Sequence, residues 1–330
     1  MLSAYHTTTV RSESPMGHRI DVHHHVIPPV YQEAVDRYAG GTQLDGVDPV
    51  HWDRDTHLEV MDRHGIDMAL LTVTAPGATL AGDDAPRLAR EVNEYMAELV
   101  RDTPSRYGAL TLLPLPDVDA AIAELDYALD ELGHDGVGLY THYDGVYLGD
   151  PRLDRIIDHI AERGVGAHVH PAIPASDPER WGLPPSLYEF TFDTTRATAN
   201  LLFSGTLDRH PDLKLILSHA GGTVPYLAKR LTYASTIASD LKDREPEDLL
   251  GSLRRLYYDT AMSANPATLA GLTALIDDTH ILFGSDFPYM PESTTAETVS
   301  GLEDYFDRDA LARIDLDNYR DLFPRAVERL

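Results

Sequence analysis

The stretch Arg19–Pro29 reads RIDVHHHVIPP. Residues two apart in a strand point to the same side, so His23 and His25 project together while His24 points away. Two imidazoles on one strand can chelate a single ion. The chain has 16 histidines, so a pair alone proves little and partners must come from elsewhere. Three other segments offer them. AHVHP places His170 at the end of an apolar run, with His168 one step deeper on the same side. LSHAGG and FGSDFP place His219 and Asp286 at the ends of two more. Imidazoles with a carboxylate form a nitrogen–oxygen donor set. It suits one divalent ion, Zn²⁺ first and Mn²⁺ second, and leaves a position open for water or substrate. The chain has no cysteine, which excludes thiolate ligands, disulfides and a cysteine nucleophile.

These residues share a site only if the elements carrying them converge. From Arg19 onward, short β-rich runs alternate with longer helical patterns. The pattern predicts strands at 19–24, 67–73, 107–113, 136–140, 164–170, 213–219, 255–260 and 280–286. Helices are expected over 54–64, 86–101, 118–132, 151–163, 187–210, 222–241 and 266–277, with further helices in 294–329. Many strands are near-continuous apolar runs, as expected where both faces are covered. Eight strands, each followed by a helix, predict an α/β fold: a (β/α)8 TIM barrel with additional C-terminal helices. A doubly wound open sheet is the competing architecture. It is disfavoured because no glycine-rich phosphate turn follows an early strand. Residues 18–330 are expected to form a single barrel domain, preceded by a flexible extension over 1–17. The predicted loops 40–52 and 171–186 fall on the side where barrels build active sites.

The 330 residues, 43% of them hydrophobic, are ample for one core. The net charge of −27 argues against nucleic acid or an anionic membrane as partner. The acids are spread along the whole chain, so a strongly hydrated surface explains them better than a cationic substrate does. No apolar run is long enough to span a bilayer, and a cytoplasmic protein is expected.

The segments IDVHHH, HVHP, LSHAGG followed by Pro225 and Arg230, and FGSDFP occur in this order over nearly the whole chain. In them the sequence resembles the amidohydrolase superfamily. Within it, the likeness is to the metal-dependent decarboxylases of aminocarboxymuconate semialdehyde, γ-resorcylate and 6-methylsalicylate. That resemblance implies that His23, His25, His170 and Asp286 hold the metal and that His219 is the acid–base group beside it, with Asp286 as the other candidate proton donor. Related binuclear enzymes usually carry a carbamylated lysine at the end of the fourth strand. Here that region reads GVGLYTHY, and the only lysines are Lys214, Lys229 and Lys242, none near it. One metal per chain is therefore expected.

Trp181, Tyr188 and Phe192, after the fifth strand, and Tyr289, after Asp286, offer aromatic surface for a planar ring. The resemblance further implies that Arg230 reaches the substrate carboxylate of a neighbouring subunit, hence a homodimer or higher homo-oligomer. It also places His57 where a relative has a second carboxylate-binding arginine. Losing that arginine favours a monocarboxylic hydroxyaromatic acid, resembling 6-methylsalicylate, over a dicarboxylate. The expected activity is non-oxidative decarboxylation of such an acid. A metal-dependent lactone or amide hydrolase is the alternative on the same barrel, and a non-catalytic metal-binding protein is a third reading.

Overall fold

Eight parallel strands form the centre of the computed structural model, which describes residues 18–40, 50–176, 179 and 181–330. They are β1 (Ile20–His25), β2 (Met68–Thr72), β3 (Tyr107–Leu112), β4 (Gly136–Tyr140), β5 (Ala167–His170), β6 (Leu215–Leu217), β7 (Tyr257–Asp259) and β8 (Ile281–Leu282). Each pairs with the next in sequence order. Backbone bonds from Val22 N–H to Phe283 O (3.1 Å), Asp286 N–H to His23 O (2.9 Å) and His25 N–H to Phe287 O (2.8 Å) join β1 to the segment after β8. The architecture is the expected (β/α)8 barrel. The predicted flexible extension over 1–17 lies outside the described residues, and so does most of the loop predicted over 40–52.

The expected helices are present with shifted ends, except that the run predicted over 222–241 breaks into Val224–Leu231, Ala234–Ile237 and a short turn at Ser239–Leu241. The run predicted over 187–210 divides into Glu189–Phe203 and Thr206–Arg209, where Gly205 takes a left-handed φ of 80°. Helices Pro29–Tyr38 and Pro246–Arg254 were not anticipated, although each starts at a proline, a residue favoured in a first helical turn. A small hairpin pairs His142–Tyr143 with Val146–Tyr147. Among the described residues no helix is long and apolar enough to cross a membrane.

The C-terminal helices fill the end of the barrel away from the strand C-termini. Ile20, Val22, Met68, Leu70, Leu110 and Ile216 form a buried cluster there with Tyr319, Leu322 and Phe323. Gly136 and Gly166 leave room for the Phe323 ring, because a Cβ at either would stand 2.7 Å from it. The Tyr319 hydroxyl is shared between the carbonyl oxygens of Ile20 (2.7 Å) and Phe283 (3.0 Å), tying the plug to β1 and to the chain just past β8. Arg19 makes a buried two-pronged pair with Asp315 at 2.8 and 3.1 Å. This end is thus a sealed apolar floor, which leaves the opposite lip for chemistry.

Truncating Phe323 should open a void that its glycine neighbours cannot fill. Phe323→Ala is expected to lower unfolding stability by about 3–5 kcal/mol, measured by denaturant titration. A loss under about 1 kcal/mol would show that the ring is not a structural plug.

Candidate active site

The alternation of β1 works as the sequence predicts. His23 and His25 turn into the barrel mouth, while His24 turns outward, its Nδ1 3.0 Å from Asp21 Oδ2. His23 Nε2 and His25 Nε2 lie 3.1 Å apart. Asp286 Oδ1 stands 3.2 Å from the first and 3.1 Å from the second. His170 comes from the end of β5, its Nδ1 2.7 Å from Pro171 O. That bond puts a proton on Nδ1 and leaves the Nε2 lone pair for the cluster. One ligand atom from each of these four buried residues lies within 4.8 Å of the others.

The electrostatics fit a cation at that point. Burial works against a charged His23, but the Asp259 and Asp286 carboxylates outweigh it and raise its pKa to about 10. Burial lowers His25 to about 4 and holds His170 well below the ordinary histidine range. Asp286 stays well below the ordinary carboxylate range despite its burial, because His23, His219 and His25 stabilise its charge. Two buried carboxylates therefore call for positive charge among nitrogen lone pairs that point at one another. A proton on His23 answers that demand in part, and one divalent ion answers it fully. The donor set is imidazole and carboxylate, and it fits a single such ion. Lys214 is far from it, its Nζ donating to the carbonyl oxygens of Gly164 (3.0 Å) and Asp321 (2.6 Å) near the plugged end.

The sequence reading missed Asp259, at the end of β7. Its Oδ2 lies 2.8 Å from His23 Nδ1 and 2.9 Å from His168 Nε2. Its Oδ1 accepts the backbone N–H groups of His219 (2.8 Å) and Ala261 (3.1 Å). By accepting a hydrogen bond from His23 Nδ1–H it fixes the tautomer that turns Nε2 toward the cluster. His168 stands one step deeper, as expected, and Ser218 Oγ is 3.2 Å from its Nε2. The signal for Asp259 was its place in RLYYDT, on the same lip as the other ligands.

His219 follows β6 with a left-handed φ of 55°. Its Nε2 lies 3.5 Å from Asp286 Oδ2, and its Nδ1 has no hydrogen-bond partner among the described residues. Asp286 is left-handed as well, with φ 62°. Such angles cost energy for residues other than glycine, and the bonds to Asp259 and His23 hold them in place.

His170, His219 and Asp286 form the floor of a cavity of about 190 Å³. Its walls include Phe190, Leu187, Pro184 and Tyr289, and among the described residues no lysine or arginine lines it. Tyr289 is there as predicted, its ring 5.1 Å from that of His25. The other predicted aromatic residues are not in the lining. Trp181 is 76% exposed, Phe192 is 43% exposed, and Tyr188 packs edge-on against Phe192 at 6.1 Å. Helical spacing explains the difference: in Glu189–Phe203 the buried face carries Phe190, and two residues on the chain has turned away. Arg230 is exposed on helix Val224–Leu231 and does not line the cavity. His57 is buried behind β1, its Nδ1 2.8 Å from His24 Nε2, and also stands outside the lining.

A profile of the amidohydrolase family matches residues 20–325. The chain belongs to the amidohydrolase family. It is 37% identical over 303 residues to decarboxylase yanB of Aspergillus niger, spanning 87% of this chain and 82% of that one. It is 35% identical over 315 residues to the 6-methylsalicylic acid decarboxylase of Penicillium expansum, spanning 93% and 96%. Among solved structures it shares its fold with a dihydroxybenzoic acid decarboxylase of Polaromonas sp. JS666, with a TM-score of 0.79 at 23% identity over 96% and 99% of the two chains. That structure holds manganese and an inhibitor, 2-nitroresorcinol.

Removing the anionic partner of His23 should loosen the metal without unfolding the barrel. Asp259→Asn is expected to weaken divalent-ion affinity about 10–100-fold in a chelator competition. Unchanged affinity would mean that Asp259 plays no part in holding the ligands.

Proposed function

We propose that this chain is a metal-dependent, non-oxidative decarboxylase of a hydroxyaromatic carboxylic acid of the 6-methylsalicylate kind. The observation that carries the reading is the cavity: mainly apolar walls over a floor of His170, His219 and Asp286, with no lysine or arginine among the described residues of the lining. Its volume of about 190 Å³ suits a single ring, since an engineered apolar cavity of about 150 Å³ takes up benzene. Among the described residues of one chain, the lining offers the substrate's carboxylate only the metal, so any further cation must come from a neighbouring subunit. The relatives named for decarboxylation, at 37% and 35% identity, support the same reading.

His23, His25, His170 and Asp286 would hold one divalent ion. When bound, it supplies Lewis acidity and a point of attachment for the carboxylate and an ortho oxygen. Three imidazoles and a carboxylate favour Zn²⁺, with Mn²⁺ as its competitor. An aryl carboxylate loses CO₂ only when the electrons left behind have an acceptor. Protonating the carboxyl-bearing ring carbon provides one. The C–H bond forms, the bond to the carboxyl carbon then breaks, and its electron pair restores the aromatic ring. His219 is the better donor of that proton. It lines the cavity and its Nδ1 is not committed to another group of the described residues, whereas the surroundings of Asp286 keep that carboxylate ionised. After CO₂ leaves, His219 takes a new proton from solvent. Phe190 and Tyr289 keep the ring in place and exclude water from the carbon that is protonated.

Arg230 is exposed and outside the cavity of its own chain, so it would meet substrate only from a neighbouring subunit. A homodimer or higher homo-oligomer is therefore part of this proposal. Light scattering on the purified protein should give at least two chains per particle, and a monomer would remove Arg230 from the substrate site.

Purified protein supplied with Zn²⁺ or Mn²⁺ should release CO₂ from salicylate-type acids and stop when the metal is chelated. His219→Asn should keep its metal and lose at least about 100-fold in turnover. Full activity in that variant would overturn the role of His219. Ring opening of lactones with no carbon lost would favour the hydrolase reading instead.

A further inference from the structure

Two turns that carry the site each end in a methionine. After β7, Ala261 N–H donates to Asp259 Oδ1 at 3.1 Å and Ser263 N–H donates to Thr260 O at 3.0 Å. Met262 heads this turn with a left-handed φ of 54°. After β8, Met290 N–H donates to Asp286 O at 3.0 Å. Both backbones are thus pinned to residues of the site, and only the thioether side chains are free to rearrange. Methionine suits such a place because it is unbranched and fills irregular gaps.

Met262 and Met290 line the ring cavity on one side and a second space of about 230 Å³ on the other. Among the described residues the two spaces have these two in common and no others. Their chemistry differs. The ring cavity is walled mainly by apolar side chains, with Thr74 and Ser186 the polar exceptions above its floor, whereas Asn265, Thr294, Glu297 and Thr298 line the outer groove beside Ala264.

We propose that Met262 and Met290 are specificity-determining residues, a movable partition between the ring cavity and an outer subsite for a ring substituent ending in a hydroxyl or amine. This rests on the hydroxyaromatic-acid reading above and extends it to the substituent. The amide, hydroxyl and carboxylate groups of the groove can accept hydrogen bonds from such a terminus. A second carboxylate is disfavoured there, because Glu297 would repel it and, among the described residues, no lysine or arginine lines the groove. With the methionines in place, a ring bearing only a methyl group fits and a longer arm meets the thioethers.

The test uses metal-loaded protein and calorimetric affinities for two kinds of probe: methyl-substituted salicylates, and salicylates carrying a 3-hydroxypropyl arm at each free ring position. Met262→Ala and Met290→Ala are made separately, so that one misfolded variant leaves the other decisive. The affinity ratio of the best hydroxypropyl probe to the methyl acid should rise at least about tenfold in either variant. It should fall in Met290→Phe, which thickens the partition. Glu297→Ala added to Met290→Ala should reverse part of the gain. An unchanged ratio in both alanine variants overturns the partition while the aromatic-acid reading stands. Failure of the wild-type protein to bind the methyl acid overturns that reading, and the partition with it.

Discussion

A carboxylate with no access to solvent, Asp259, is the constraint on which the site depends. A buried charge is costly unless it is paired and hydrogen-bonded. Asp259 meets that condition by gathering His23, His168 and the backbone N–H groups of His219 and Ala261. Each partner gains a fixed position in return. His23 receives its tautomer, His219 its left-handed backbone, and the turn leading to Met262 its anchor. One residue thereby links a ligand of the expected metal, the expected proton donor and one wall of the cavity.

The same logic runs through β1 and the chain after β8. Asp21 accepts the N–H groups of His23 and Ser285 at 3.1 Å each, and His24 Nδ1 stands 3.0 Å from it. The strand that carries two ligands is thus tied to the segment that carries Asp286. Below, the Phe323 plug seals the opposite end. The ligands therefore stand on a rigid ring of strands between an apolar floor and an open mouth. Precise placement matters here, because nitrogen and carboxylate lone pairs held about 3 Å apart (3.1 and 3.2 Å in this site) repel unless positive charge lies among them.

Much of this was legible in the chain. The period-two pattern of HHH assigned His23 and His25 to one side, and strand ends marked His170, His219 and Asp286. Eight apolar runs separated by helical patterns were enough for the barrel. What escaped shows where sequence reasoning stops. Asp259 looks like any acid closing a strand, and its role exists only because β1, β5 and β6 bring their groups to it. Phe190 and Phe192 cannot be told apart without knowing where their helix starts. The fit of Phe323 against Gly136 and Gly166 joins residues more than 150 positions apart, so no local pattern marks it. His57 was placed at the substrate by resemblance, whereas the packing commits it to His24.

The most direct test of the account is X-ray absorption at the metal edge, together with metal content, on protein purified without chelators. The account predicts one divalent ion per chain, bound by imidazole nitrogens and carboxylate oxygen, with spectral signatures lost on replacing His23, His25, His170 or Asp286. Protein that binds no ion, or two, or whose ion stays in place when His170 and Asp286 are replaced, would contradict it.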